Sequence, residues 1–359
     1  MVLDKDGEKG YYMCVRQRNA ANLIDRRTAV AQKDTNPYIY SDSNKRYMTY
    51  DWYLKQRFGG KIAKVSLDIG TTCPNLDGSR GHGGCIYCKS GSASAVGENI
   101  EKQYENGRAV AERKWKVAGF IPYFQSNTNT YGDLERLSAC FVKAAGFDGA
   151  VMVDIATRAD CLGEDAVKML CSVAEKIPLT VELGLQTTDD RTAERINRCH
   201  SFAEFSEGYK RLREAADGVN AKFDTGNGIL PMKRMIIGVH IINGLPGEGY
   251  GEMMRTASDA AELHPDMVKI HLMHVLTETP LAAMYESGEY ECMSREEYVS
   301  VTCDQLETLP GDIILGRITG DGMPDDLLAP MWSRRKTEVA NEIDKELYRR
   351  GTYQGYRLK

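Results

Sequence analysis

Apolar positions along the chain alternate between two periodicities. Short runs rich in β-branched and aromatic residues lie at 62–69, 119–125, 149–155, 179–186, 235–243, 267–272 and 312–318. Between them, apolar residues recur at helical spacing over 97–117, 134–145, 164–176, 191–197, 202–216 and 251–263. Strands alternating with helices predict βαβ units and a parallel sheet. Six or seven such units predict an α/β fold, a partial (β/α)6-type TIM-like barrel of parallel strands with N-terminal and C-terminal extensions. In such a barrel the chemistry belongs at the C-terminal ends of the strands.

The flanks differ from this core. Residues 1–45 are polar and charged with no strong periodicity, and 47–60 has helical spacing ending in Gly59-Gly60, a helix stop. Residues 217–234 read as a polar loop inserted before the fifth strand. After about residue 320 the pattern changes to a charged helix beginning at 332–336 and a basic, aromatic tail at 348–359. The expected division is an extension over 1–50, a barrel over 51–320 and a helical, basic extension over 321–359.

One loop carries the chemistry. Cys73, Cys85 and Cys88 stand in a Cys-x11-Cys-x2-Cys pattern on a glycine-rich loop directly after the first predicted strand. Glycine lets such a loop wrap its backbone closely around an inorganic centre. With His82, the three thiols make a closed tetrahedral zinc set. Without it, they make a three-cysteine iron–sulfur site with one iron open to a further ligand. The loop's place at the barrel mouth and Tyr87 directly before Cys88 favour the open cluster.

Composition narrows the setting. The 359 residues carry a formal charge of −5, which excludes a globally basic protein but leaves a local basic patch open. Of ten cysteines only those at 73–88 are clustered, so the remainder are expected to be inert thiols. No apolar leader and no run of about 18 apolar residues is seen, so no membrane association is expected and a reducing cytoplasm is the expected location.

Several segments together carry a resemblance: Cys73-Pro-Asn…Gly83-Gly-Cys85-Ile-Tyr-Cys88, Tyr123-Phe-Gln125, Thr157-Arg158-Ala-Asp160-Cys, Glu182-Leu-Gly-Leu-Gln186-Thr, Arg195-Ile-Asn-Arg198, Asn243-Gly-Leu-Pro-Gly-Glu248, Val268-Lys-Ile-His271 and Arg317-Ile-Thr-Gly-Asp-Gly322. From about residue 51 to 332 the chain resembles the radical SAM superfamily, and more narrowly its YhcC/YtqA-like family, relatives of the elongator catalytic subunit's radical SAM core. The resemblance implies that Cys73, Cys85 and Cys88 hold a [4Fe–4S] cluster. Its fourth iron would bind S-adenosylmethionine (SAM), whose cleavage yields a 5′-deoxyadenosyl radical that abstracts hydrogen from substrate.

The same resemblance implies roles for single residues. Tyr87 would pack near the adenine. Gln125, or Asn127 beside it, would meet the SAM amino group, although the usual Gly-Gly-Glu is absent there. Gln186 would contact the ribose and Arg198 the SAM carboxylate, while backbone groups of His240, Asn243 and Gly244 would meet the adenine. Lys269 and His271 alternate on one strand and so share a face. A lysine facing a barrel interior is costly unless paired, so both, with Arg317, are candidates for catalytic or substrate contact. The expected partners are SAM, an electron donor such as flavodoxin or ferredoxin, and tRNA through wobble-uridine side-chain modification. A small metabolite or a protein side chain is the alternative substrate, and a non-catalytic zinc module the remote alternative.

Overall fold

The computed structural model describes residues 36–89, 99–223, 232–320 and 325–358, and Tyr40–Lys359 form one compact unit. The first helix, α1 (Tyr50–Phe58), starts where the Thr49 side chain accepts from Trp52 N and stops at Gly59, whose φ of 73° is the left-handed conformation glycine adopts freely. Strand β1 (Ile62–Leu67) follows, and then the cysteine loop. The next units are α2 (Ile100–Lys114) with β2 (Gly119–Phe124), α3 (Leu134–Ala145) with β3 (Val153–Thr157), and α4 (Glu164–Lys176) with β4 (Leu179–Gln186). Helices α5 (Asp190–Arg195) and α6 (Phe202–Asn220) precede β5 (Met235–Asn243), and α7 (Tyr250–Leu263) precedes β6 (Met267–Leu272). The chain then runs through β7 (Val275–Leu276), α8 (Pro280–Glu286), α9 (Arg295–Thr308), β8 (Ile314–Arg317), β9 (Leu327–Ala329) and α10 (Lys336–Arg350).

Seven strands form one sheet in the order β1-β2-β3-β4-β5-β6-β8, every pairing parallel, curled into the half-barrel of a TIM-like fold. Strand order equals chain order because each crossover returns on the same face. Period-2 alternation separates the two faces. On β4, Leu179, Val181, Leu183 and Leu185 are fully buried in the apolar core shared with the helices, and Thr180 and Glu182 take the intervening positions. The same parity sends Val153 and Ile155, Ile237, Val239 and Ile241, and Val268 and Ile270 outward into that core.

The outer edge of β8 is covered. Leu315 N donates to Met48 O at 2.7 Å, Met48 N donates to Gln354 Oε1 at 2.9 Å, and Gln354 Nε2 donates to the carbonyls of Pro310 and Ile313. Segments from both flanks thus cover the sheet edge.

Three local readings differ from the sequence expectation. The third strand begins at Val153 because Gly149 (φ 75°) turns the chain, although Phe120 already bonds to Gly149 and Val151 across that turn. Helix α9, started by a capping box between Ser294 and Glu297, was not expected, because its residues are buried on nearly all sides and show no single apolar stripe. Helix α6 extends to Asn220 into the expected 217–234 insertion, of which 224–231 lie outside the described residues.

Helix α6 also braces the site. A Cβ on Gly208 would come within 2.1 Å of the Ala159 carbonyl, in the turn that follows β3. Gly208→Ala is therefore expected to destabilise the fold by about 1–3 kcal/mol, the usual range for overpacking, as a lowered denaturation midpoint would show.

Candidate active site

The loop after β1 folds back on itself at the C-terminal mouth of the half-barrel. Gly84 N donates to Asn75 O at 2.9 Å, Cys88 N to Cys85 O at 2.9 Å, and Gly83 and Gly84 both take positive φ. This brings the three thiols into one electrostatic group. Cys85 is buried, Cys73 half-buried and Cys88 exposed. A hydrogen bond from Cys88 lowers the Cys85 thiol to about 7 against the opposing effect of burial, with the Arg158 guanidinium and the side chains of Tyr87 and Asn75 assisting. Cys88 in turn is pushed well up, chiefly by that hydrogen bond and with the neighbouring Cys85 and Cys73 sulfurs assisting. Thiols near cationic and N–H groups are the ones that ligate metals.

Three soft sulfur donors suit an iron–sulfur cluster. Among the described residues no group of three or more His, Cys, Asp or Glu side chains stands in the arrangement of ligands to a metal ion. His82 is exposed, and its ring lies over Gly78, where a Cβ would approach it to 2.6 Å.

The loop is pinned by the segment after α5. Ile86 N donates to Ile196 O at 3.1 Å, and Asn197 Nδ2 donates to the carbonyls of His82 and Gly84 at 3.0 and 2.7 Å. Asn75 Nδ2 bonds the carbonyls of Asn197 and Arg198 at 2.7 and 3.0 Å.

Below the loop, charged side chains occupy the concave face of the sheet. Glu182 on β4 has no exposed side-chain area. Its Oε1 lies 2.9 Å from Lys64 Nζ on β1. Its Oε2 accepts from Tyr123 OH at 2.7 Å and Lys269 Nζ at 2.5 Å, and lies 3.0 Å from His240 Nε2. Lys64 also pairs with the buried Asp154 of β3 and lies over the Tyr123 ring at 4.5 Å. Against the burial that opposes it, Lys269 and Lys64 hold Glu182 well below the usual carboxylate range. Burial lowers Lys269 to about 8 and His240 to about 4. The network joins five strands through one carboxylate.

Comparison with known proteins places this architecture. The Radical_SAM C-terminal domain family matches residues 265–349, from β6 to α10. The chain is 42% identical over 324 residues to the uncharacterized protein YtqA of Bacillus subtilis, covering 89% of this chain and 95% of that protein. The chain belongs to the radical SAM YhcC/YtqA-like family. Protein YhcC of Escherichia coli is 29% identical over 83% of this chain and 91% of its own length. A tRNA uridine(34) acetyltransferase of Methanocaldococcus jannaschii is 22% identical over 67% of this chain, which spans only 49% of that relative. Among solved structures, archaeal Methanocaldococcus infernus Elp3 with an N-terminal deletion shares the fold at a TM-score of 0.60 and 16% identity, over 82% of this chain and 64% of that one. The protein is an enzyme of the radical SAM class.

Within this radical SAM half-barrel the expected site residues separate into groups. Lys269, His271 and His240 all face the interior, and the rings of His240 and His271 stand 5.1 Å apart. His271 Nε2 is buried without a hydrogen-bond partner, and burial holds the ring well below its ordinary value. Arg317 pairs in register with Lys269 on the neighbouring strand. Gln125 is exposed at the mouth, where its Oε1 accepts from Ser66 Oγ at 3.2 Å, and Asn127 Nδ2 donates to Thr71 O at 2.7 Å. Gln186 sits at the β4 terminus with φ of 62°, where the register with β5 shifts. Tyr87 hydrogen-bonds Cys85 and packs against the apolar cluster of Ile196, Leu245 and Leu281.

Two of the expected residues have side chains engaged within the fold. Arg198 is 1% exposed, and its guanidinium donates to the carbonyls of Leu185, Thr187 (2.6 Å) and His200 (2.9 and 3.0 Å). That geometry is a backbone clamp holding the Gln186 turn. Asn243 is 1% exposed and closes a reciprocal amide pair with Gln305 of α9, 2.8 Å each way, on the helix side of the sheet. Beside it, Gly244 (φ 82°) accepts from Tyr290 OH at 2.7 Å through its carbonyl.

Sequence reasoning assigned no role to Lys64, Tyr123, Asp154, Glu182, Asn75 or Arg158. A usable signal was present for Lys64, Asp154 and Glu182. Each is a charged residue inside an apolar strand, at a position that parity sends inward.

Glu248, in the loop after β5, accepts from Thr187 Oγ1, while its Oε2 is buried without a partner. Burial raises it from 4.5 to about 7 against the Thr187 and Thr192 hydrogen bonds. A carboxyl raised by folding contributes stability below its unfolded value and loses it as pH rises through its folded value. Wild type is therefore expected to lose stability relative to Glu248→Gln between pH 4.5 and 7, as paired thermal melts across that window would show.

Proposed function

We propose that Cys73, Cys85 and Cys88 hold a [4Fe–4S] cluster with one iron open to SAM, and that the enzyme modifies a wobble-uridine side chain in tRNA. The observation that carries the first part is the gathering of three thiols on one folded loop at the mouth of the half-barrel, with Arg158 Nη1 4.0 Å from Cys73 Sγ and Asn75 Nδ2 3.5 Å from Cys85 Sγ. When bound, the cluster and SAM supply a one-electron cleavage that yields a carbon radical for hydrogen abstraction. The chain's own residues do the rest. The Asn197–His200 segment holds the cysteine loop, Arg198 fixes the Gln186 turn, and the Glu182 network closes the barrel beneath with a rigid polar floor. A reactive radical needs such a fixed, enclosed site to limit side reactions. Tyr87, Gln125, Gln186 and Arg198, with backbone groups of His240, Asn243 and Gly244, are the proposed contacts to SAM. Lys269, His271 and Arg317 lie deeper, where a substrate would reach.

The tRNA reading is supported by the likeness to a tRNA uridine(34) acetyltransferase and by the fold shared with Elp3. A small metabolite or protein side chain is the second reading, favoured by the state of the tail. Arg350 lies 3.1 and 3.2 Å from Asp304 and Glu307, and Arg357 Nε donates to Glu307 at 2.8 Å, so carboxylates of α9 already neutralise two arginines of the basic tail that would otherwise be open to RNA phosphate. Among the described residues no helix is long and apolar enough to cross a membrane. Comparing tRNA nucleosides from a deletion strain and its parent tests the substrate. Accumulation of an unprocessed wobble uridine is expected, and an unchanged nucleoside profile contradicts the tRNA reading.

A further inference from the structure

Arg158, at the C-terminal end of β3, stands behind the cysteine loop with 8% of its surface exposed. Its Nε and Nη2 grip the two oxygens of Asp160 at 2.9 and 2.8 Å, and Nη2 lies 3.0 Å from His200 Nδ1. Asp160 thus takes one edge of the guanidinium and leaves Nη1 directed toward the loop. Nη1 donates to Arg198 O at 2.9 Å and Asn75 Oδ1 at 3.0 Å, and lies 4.0 Å from Cys73 Sγ. Asn75, fully buried, carries the arrangement onward: its Nδ2 lies 3.5 Å from Cys85 Sγ. Two of the three sulfurs therefore each have a nitrogen of an N–H dipole beside them, one of them cationic, and both groups are fixed in place by hydrogen bonds to Arg198 O, Asn75 Oδ1 and Asn197 O.

Hydrogen bonds to cluster sulfurs, and positive charge near them, favour the more electron-rich state of an iron–sulfur group and raise its reduction potential. We propose that Arg158 and Asn75 set the reduction potential of the group held by the cysteines, as positioning residues that act through Cys73 and Cys85. This rests on the reading that the three cysteines hold a [4Fe–4S] cluster. Its consequence is that a donor electron enters the cluster more readily than three thiolates alone would permit.

The test is an anaerobic redox titration of the reconstituted full-length protein, without SAM, followed by electron paramagnetic resonance of the reduced cluster. Wild type, Arg158→Lys and Arg158→Gln are compared at equal iron content. Arg158→Gln is expected to move the midpoint to a more negative potential, so that the fraction reduced at a fixed potential falls several-fold. Arg158→Lys keeps the charge but not the fork, and should fall between. A midpoint in Arg158→Gln equal to that of wild type overturns the proposal. Should that variant fail to retain iron, Arg158→Lys decides alone: a negative shift supports the proposal, and an unchanged midpoint or lost iron overturns it. Wild-type protein that takes up no cluster would instead refute the reading beneath, and this outcome is read before any variant is compared.

Discussion

Cys85→Ala is expected to lose bound iron, sulfide and SAM cleavage together, each falling to background. Cys85 is the buried member of the three thiols and the one lowered to about 7, so it is the most readily available as thiolate at neutral pH. It lies on a loop, and its backbone contact is the short bond from Cys88 N, so the half-barrel should remain folded. Thermal melting and circular dichroism should therefore stay near wild type while iron content collapses. Cys171→Ala, which removes a half-buried thiol packed against the helical core, serves as the control and should keep both iron and cleavage. Iron and cleavage at wild-type levels in Cys85→Ala would mean that a different residue is the ligand.

Glu182→Ala is expected to be the most destabilising single change in the barrel interior. Glu182 meets Lys64, Tyr123, His240 and Lys269, and its removal leaves Lys269 buried without the carboxylate at 2.5 Å. Breaking a buried ion pair from one side costs about 3–5 kcal/mol, because the remaining charge is uncompensated. The melting temperature should fall by on the order of 10 °C. Pairing Glu182→Ala with Lys269→Met removes the stranded charge and should recover part of that loss. If the double variant is as unstable as the sum of the two single ones, the carboxylate and lysine are not coupled and the network does not act as a unit.

Much of the fold was legible in the chain. Runs such as 179–186, 235–243 and 267–272 coincide with strands because a parallel sheet buried by helices demands near-continuous apolar stretches. Helix α9 was not legible, since a helix buried on most sides has no amphipathic stripe to reveal it. The cysteine loop stood out because its ligand chemistry is local in sequence. The network around Glu182 did not, because Lys64 and Glu182 lie 118 residues apart and only the curl of the sheet brings them to 2.9 Å. Arg198 shows the other limit. Its match to a family position implies a ligand contact, but its donation to the carbonyls of Leu185, Thr187 and His200 depends on how the chain folds back after β4 and has no local sequence signal. Asn243 lies at a strand end as expected, and strand parity turns its side chain to the helices while its backbone stays at the mouth.

The central claim is that Cys73, Cys85 and Cys88 hold a cluster whose open iron binds SAM. The most direct measurement is anaerobic reconstitution of the wild-type protein with iron and sulfide, followed by quantification of 5′-deoxyadenosine after addition of SAM and dithionite. One [4Fe–4S] cluster per chain with reductant-dependent 5′-deoxyadenosine is the predicted result. One zinc per chain with no 5′-deoxyadenosine would contradict it.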